Sequence, residues 1–265
     1  MKVHRDLRYS DGNARNLLDL YLPEGGPAPL VIYIHGGAFM MGDKANPDWG
    51  DLIAIQAVVD AGFAVASVNY RFVPEHIWPA QLEDLRAAVA FLRGVAGEYG
   101  FDGARIAAFG PSAGGHLTAC LALDQGLRAA VPWFPPVDFR FMDADMAASG
   151  VERQAPPNAE SGSPESKLIG GAVADHPDLA YRAGPLGVLD ALPEGARIPL
   201  FFIQHGAVDP LIAARQSQRL AEALRARGGE VVLEILPGAG HGGPAFDRPE
   251  TLARVTAFLT ENLGV

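Results

Sequence analysis

A serine hydroxyl is a poor nucleophile until a base takes its proton and a third group fixes the tautomer of that base. This 265-residue chain carries the required residue types in three glycine-flanked segments. Gly110-Pro111-Ser112-Ala113-Gly114 fits G-x-S-x-G, a sharp turn whose small neighbours let a strained serine project its hydroxyl. Gly206-Ala207-Val208-Asp209-Pro210 offers an acid, and Gly238-Ala239-Gly240-His241-Gly242 a base, so the chain order is Ser, Asp, His. A fourth segment, His35-Gly36-Gly37-Ala38-Phe39, is bare enough for backbone amides to approach a developing oxyanion. The chemistry implied is acyl transfer: Ser112 attacks, His241 moves protons and Asp209 orients the imidazole. The oxyanion donors expected are the amides of Gly37, Ala38 and Ala113, with Gly36 serving the turn.

Blander readings compete with each part. The five-residue serine pattern alone also describes an incidental glycine-rich turn or a phosphate-binding loop. Asp209 could be a helix cap and His241 an ordinary loop histidine. His116 shares a helical face with Ser112 but suits a buried, hydrogen-bonded role. His35 is expected to order its own loop, and His205 lies inside a strand end. Glu83 and Asp84 are helix neighbours that point different ways, which suits a solvated face or salt bridges better than an acid/base pair. Asp138 is the rival to Asp209 as the orienting acid. Cys120 reads as a small buried hydrophobe.

These loops need a frame that presents them together. Short apolar runs alternate with helical periodicity, the mark of an α/β chain with a mostly parallel sheet. Strands are expected at 17–21, 30–34, 63–68, 105–109, 129–133, 200–205 and 231–236. Helices are expected at 51–61, 79–99, 113–123, 212–227 and 248–263. Ser112, Asp209 and His241 each follow a predicted strand, so in a parallel sheet all three reach one edge. The stretch 138–184 has no steady period and reads as an insertion over that edge within a single domain spanning 1–265.

Composition narrows the partners. The 31 acidic residues outnumber 21 basic ones, for a formal charge of −10, which gives no general attraction for nucleic-acid phosphates or anionic lipid. A single cysteine forms no intrachain disulfide, no Cys/His cluster has zinc-site spacing, and no metal or cofactor is expected. No run is long and apolar enough to cross a membrane, and a signal peptide is not evident. A cytoplasmic location is the expectation, with secretion open should a leader have been trimmed. Oligomeric state is not legible.

Taken together, 18–23 (Leu-Asp-Leu-Tyr-Leu-Pro), 35–39, Asn69-Tyr70-Arg71, 112–117 (Ser-Ala-Gly-Gly-His-Leu), Gln204-His205-Gly206 and 237–242 (Pro-Gly-Ala-Gly-His-Gly) carry a resemblance. The chain resembles α/β-hydrolase esterases grouped with bifunctional feruloyl and acetyl-xylan esterases, close to the hormone-sensitive-lipase-like branch. That resemblance implies an α/β-hydrolase fold, helices on both faces of the sheet, and an insertion after the sixth strand in the family's count. It also implies a serine carboxylesterase acting on short-acyl esters of carbohydrates or other small molecules through an acyl-enzyme. Pro111 departs from the acidic residue or histidine frequent among relatives. Two alternatives stay open: a formamidase-type amide hydrolase, and a catalytically idle hydrolase fold used for binding. Too little chain precedes 30–34 for an amino-terminal cap, so an open site is expected. Phe139, Phe141 and Met142 are expected to shape acyl preference.

Overall fold

The computed structural model describes residues 1–45 and 51–265. Eight strands form one sheet in the order β1-β2-β4-β3-β5-β6-β7-β8. They are β1 (Lys2–Arg8), β2 (Leu17–Leu22), β3 (Ala28–Ile34), β4 (Ala64–Val68), β5 (Phe101–Pro111), β6 (Ala129–Trp133), β7 (Leu200–Gly206) and β8 (Val231–Leu236). From β4 to β8 all neighbours are parallel, while β1 and β2 run antiparallel at one edge. The chain thus has the α/β-hydrolase fold. Strand β1 lies outside the sequence expectation. Its residues are mostly exposed and it pairs with β2 alone, so it carries charges instead of an apolar run.

Nine α-helices among the described residues flank the sheet: α1 (Asp51–Asp60), α2 (Ala80–Tyr99), α3 (Ala113–Gln125), α4 (Met142–Ser149), α5 (Pro164–Ile169), α6 (Pro177–Ala183), α7 (Pro185–Asp190), α8 (Arg215–Ala226) and α9 (Pro249–Leu263). Strand β3 explains why its sequence is continuously apolar. Leu30, Ile32 and Ile34 join one core with α2, α3 and α8, whereas Val31 and Tyr33 join a second core with α1 and α9. A strand covered on both faces has no solvent side to mark with polar residues.

Helix α3 packs so close to the sheet that side chains are excluded where it begins. A Cβ on Gly114 would lie 2.0 Å from the Ile34 carbonyl oxygen, and one on Gly115 would lie 2.5 Å from that of Trp133. Such approach holds the serine turn over the centre of the sheet.

The insertion between β6 and β7 differs from the irregular stretch expected. A 3₁₀ turn (Phe139–Phe141) and helices α4 to α7 fill it, most of them too short for a helical period to register. Local chemistry starts and stops them: Asp138 and Ser163 accept amide hydrogen bonds at two starts, and Pro164, Pro177 and Pro185 open α5, α6 and α7. Long-range bonds fix the insertion to the body. Asp145 accepts from Arg219 at 2.6 and 2.7 Å and from Gln216 at 2.6 Å, while Gln216 accepts from the amides of Val137 and Asp138.

Candidate active site

The parallel strands bring four loops to one sheet edge. Ser112 links β5 to α3 with φ 55° and ψ −123°, a left-handed conformation that non-glycine residues rarely hold. Its amide donates to the Trp133 carbonyl at 2.9 Å, which secures the turn to β6. Gly110 relieves the same crowding, since a Cβ there would lie 2.3 Å from the Ile34 oxygen.

His241, in the loop after β8, sits with Nε2 3.0 Å from Ser112 Oγ and Nδ1 2.7 Å from an Asp209 oxygen. A carboxylate can only accept, so Nδ1 carries the proton and Nε2 is left to accept from the serine. Asp209 is buried after β7. Its other oxygen accepts from the amides of Leu211 and Ile212 at 2.8 and 2.9 Å. That turn delays α8 to Arg215, three residues later than the periodicity suggests. Burial alone would raise the Asp209 pKa, but interactions with His205 and His241 outweigh it and hold the carboxyl well below its usual range. An ionised, immobile acceptor beneath an imidazole is the arrangement that fixes one tautomer.

The remaining candidates fall into place around the serine. Ala38 and Ala113 line one cavity with Ser112 and His241, and Gly37 lines a second with the same pair. Among the described residues, the amides of Gly37, Ala38 and Ala113 donate to no backbone carbonyl in the protein. Ala38 and Phe39 both have positive φ, at 54° and 62°, and buried Phe39 pins the loop against His116 with ring centres 5.3 Å apart.

Of the histidines set aside, His35 and His116 lie apart from the relay, while His205 Nε2 lies 3.4 Å from an Asp209 oxygen. His35 stacks on Tyr70 at 4.5 Å, and His116 stacks on Phe139 at 5.2 Å; burial lowers both pKa values to about 4. His205 bonds Ser217 and the Ile212 carbonyl, supporting the Asp209 turn from below. Asp138 is committed to Arg140 at 2.7 and 2.8 Å. Of the three residues expected to shape acyl preference, Met142 alone lines a cavity beside Ser112. Phe139 is spent on His116, and Phe141 is exposed beside Arg140 and Arg219.

Two unequal cavities meet at the serine. One is open, about 650 Å³, and bordered by Met41, Asp51, Phe134 and Asp247; the other is about 220 Å³, more enclosed, and walled by Met142, Leu211 and the 155–165 segment. Sequence reasoning missed Phe134. This residue holds φ 35° and sets its ring edge-on to His241 at 4.6 Å, so it confines the imidazole. Its place just past the end of β6, next to the serine strand, is a signal that topology could have supplied.

The BD-FAE family profile matches residues 18–224, most of the chain. The chain belongs to the BD-FAE family. Among relatives of this BD-FAE chain, esterase LipQ of Mycobacterium tuberculosis is 31% identical over 98% of the chain and 62% of its own length. The chain spans about three fifths of the length of the curated relatives it matches. A solved truncated form of a carbohydrate esterase from gut microbiota is 27% identical, with a TM-score of 0.85 over 100% of this chain and 97% of that one. The bifunctional GH43-CE of Bacteroides eggerthii has the same identity and TM-score, over 99% of this chain and 38% of that protein.

Proposed function

We propose that this BD-FAE chain is a serine carboxylesterase that removes short acyl groups from carbohydrate or other small-molecule esters. Ser112 is the nucleophile, His241 the general base and acid, and Asp209 the orienting carboxylate. The observation that carries the reading is the unbroken hydrogen-bond relay from Ser112 Oγ through His241 to Asp209, with a cavity on each side of it. The names of esterase LipQ and of the carbohydrate esterase add support.

In this reading Ser112 Oγ attacks the ester carbonyl while His241 Nε2 takes its proton. The oxyanion is held by the amides of Gly37, Ala38 and Ala113, each such donor contributing about 3 kcal/mol in related chemistry. His241 then protonates the departing alcohol, and a water repeats the sequence to free the acid and restore the serine. The acyl group occupies the enclosed cavity and the alcohol the open one, because a sugar chain needs an exit to solvent. The whole chain acts as one catalytic unit, with 138–184 as its cap. A cytoplasmic, reducing setting belongs to the same reading, supported by a lone cysteine, Cys120, that is buried and unpaired.

A fluorophosphonate probe and nitrophenyl acetate test it directly. Labelling confined to Ser112 and lost in Ser112→Ala is expected, along with a fall in kcat of about 10³ or more for Asp209→Asn. Asp138→Asn is expected to stay within about twofold of the parent. No labelling, or a larger loss from Asp138→Asn, would reject the assignment.

A further inference from the structure

The enclosed cavity beside Ser112 is not uniformly apolar. Met142, Leu211 and Ile212 furnish greasy walls, yet Glu165 and Asn158 line the same space. Glu165 is 5% exposed, and among the described residues no cation forms an ion pair with it: Arg153, whose charge is felt at Glu165, is held by Asp143 at 2.6 Å. Asn158 Nδ2 donates to one Glu165 oxygen at 2.8 Å, and no other side chain among the described residues bonds the carboxyl.

Its position is tightly held. Asn158 is anchored through its amide to Asp143 at 2.7 Å, and its carbonyl accepts from Ser163 Oγ at 2.7 Å. The 158–166 turn is closed further by the Ser166 amide, which donates to Ser163 Oγ at 3.0 Å. Glu165 is the second residue of α5, and burying its carboxyl against a methyl-lined wall is costly. Burial shifts the Glu165 pKa upward, so the group moves toward the form that both donates and accepts.

We propose that Glu165, seated by Asn158, is a specificity-determining residue that selects short acyl groups bearing a hydroxyl over their plain alkyl counterparts. The proposal rests on the esterase reading and on the acyl group entering the enclosed cavity. A plain alkyl tail strips water from the carboxyl and returns no hydrogen bond, whereas a hydroxyl replaces the water it displaces. Sites built to bond a polar group discriminate more strongly against analogues lacking it than apolar pockets do against an added methylene.

Hydrolysis of ethyl butyrate, ethyl 3-hydroxybutyrate and ethyl 4-hydroxybutyrate by the full chain decides the matter, with ethyl acetate as the common reference. The better hydroxylated ester is expected to exceed butyrate by about tenfold in kcat/KM. Glu165→Leu should abolish or invert that ratio, and Glu165→Gln should keep most of the preference. Butyrate equal to or better than both hydroxylated esters in the parent chain would overturn the proposal. So would a preference that survives in Glu165→Leu. If that variant does not fold, the parent ratio and the Glu165→Gln ratio decide. Acetate turnover with a flat butyrate-to-hydroxybutyrate ratio sinks the Glu165 role alone, whereas no turnover of any ester removes the esterase reading and this proposal with it.

Discussion

The left-handed backbone at Ser112 is a local cost that its neighbours sustain. A non-glycine residue in such a conformation forfeits on the order of 1–3 kcal/mol, and glycine would relieve that at an entropic cost of roughly 0.5–1 kcal/mol. Ser112→Gly is therefore expected to be inactive yet more stable by about 1 kcal/mol, and Ser112→Ala inactive with little change. Urea unfolding of the three proteins checks this, and a Ser112→Gly variant less stable than the parent would show that the turn is unstrained. A second residue-scale expectation concerns Asp51. Burial, opposed by the 2.6 Å bond from Tyr33 and helped by the charge of Asp247, raises its pKa from 3.8 to about 6. The folded state then binds the proton more tightly than the unfolded one, so stability falls as pH rises across that window. Asp51→Asn keeps an acceptor for Tyr33 and removes the titration. The variant should match the parent near pH 4 and exceed it by about 2 kcal/mol at pH 7.5, measured by denaturant unfolding at both values.

At the scale of elements, backbone contact between α3 and β3 is what fixes the serine over the sheet. Gly114→Ala must push Cβ to 2.0 Å from a carbonyl oxygen that belongs to β3, with no flexible side chain to yield. A loss of several kcal/mol, or failure to fold, is expected. Gly97→Ala on α2 makes the opposite point, because nothing lies within 4 Å of its Cβ and the helix continues on both sides. That change should stabilise by roughly 0.5–1 kcal/mol. Thermal unfolding of the pair would separate packing from propensity, and a harmless Gly114→Ala would contradict the close approach. The order of these elements was legible because each has a period of its own. Strand β1 was not, since an exposed edge strand is specified by its backbone partner, and neither were the short helices of the insertion.

Across the whole molecule, the six parallel strands converge their loops on one edge, and the insertion walls the smaller of the two cavities there. An enclosed volume of about 220 Å³ has room for a short acyl group, and each methylene left outside forfeits roughly 0.8 kcal/mol. Nitrophenyl esters with two to four acyl carbons should therefore surpass the decanoate by about tenfold or more in kcat/KM. Met142→Phe should lower the butyrate-to-acetate ratio several-fold, while Phe141→Ala should leave the profile unchanged, because Phe141 faces away from the cavity toward Arg219. A decanoate optimum, or a profile that follows Phe141, would mean that the acyl group lies elsewhere.

What the sequence determined by itself was the sheet from β2 to β8, the order of its loops and the residues that those loops present. Apolar periodicity and glycine placement are local constraints, and parallel strands leave few ways for Ser112, Asp209 and His241 to emerge except on a common edge. Tertiary structure alone decided the walls. Phe134 meets His241 only because β6 lies beside β5, and Glu165 reaches the cavity only because Asp145, Arg219 and Gln216 hold the insertion against α8. Those contacts join residues about 70 positions apart in the chain. No local period encodes them, since the direction in which a short helix points is set by what it packs against.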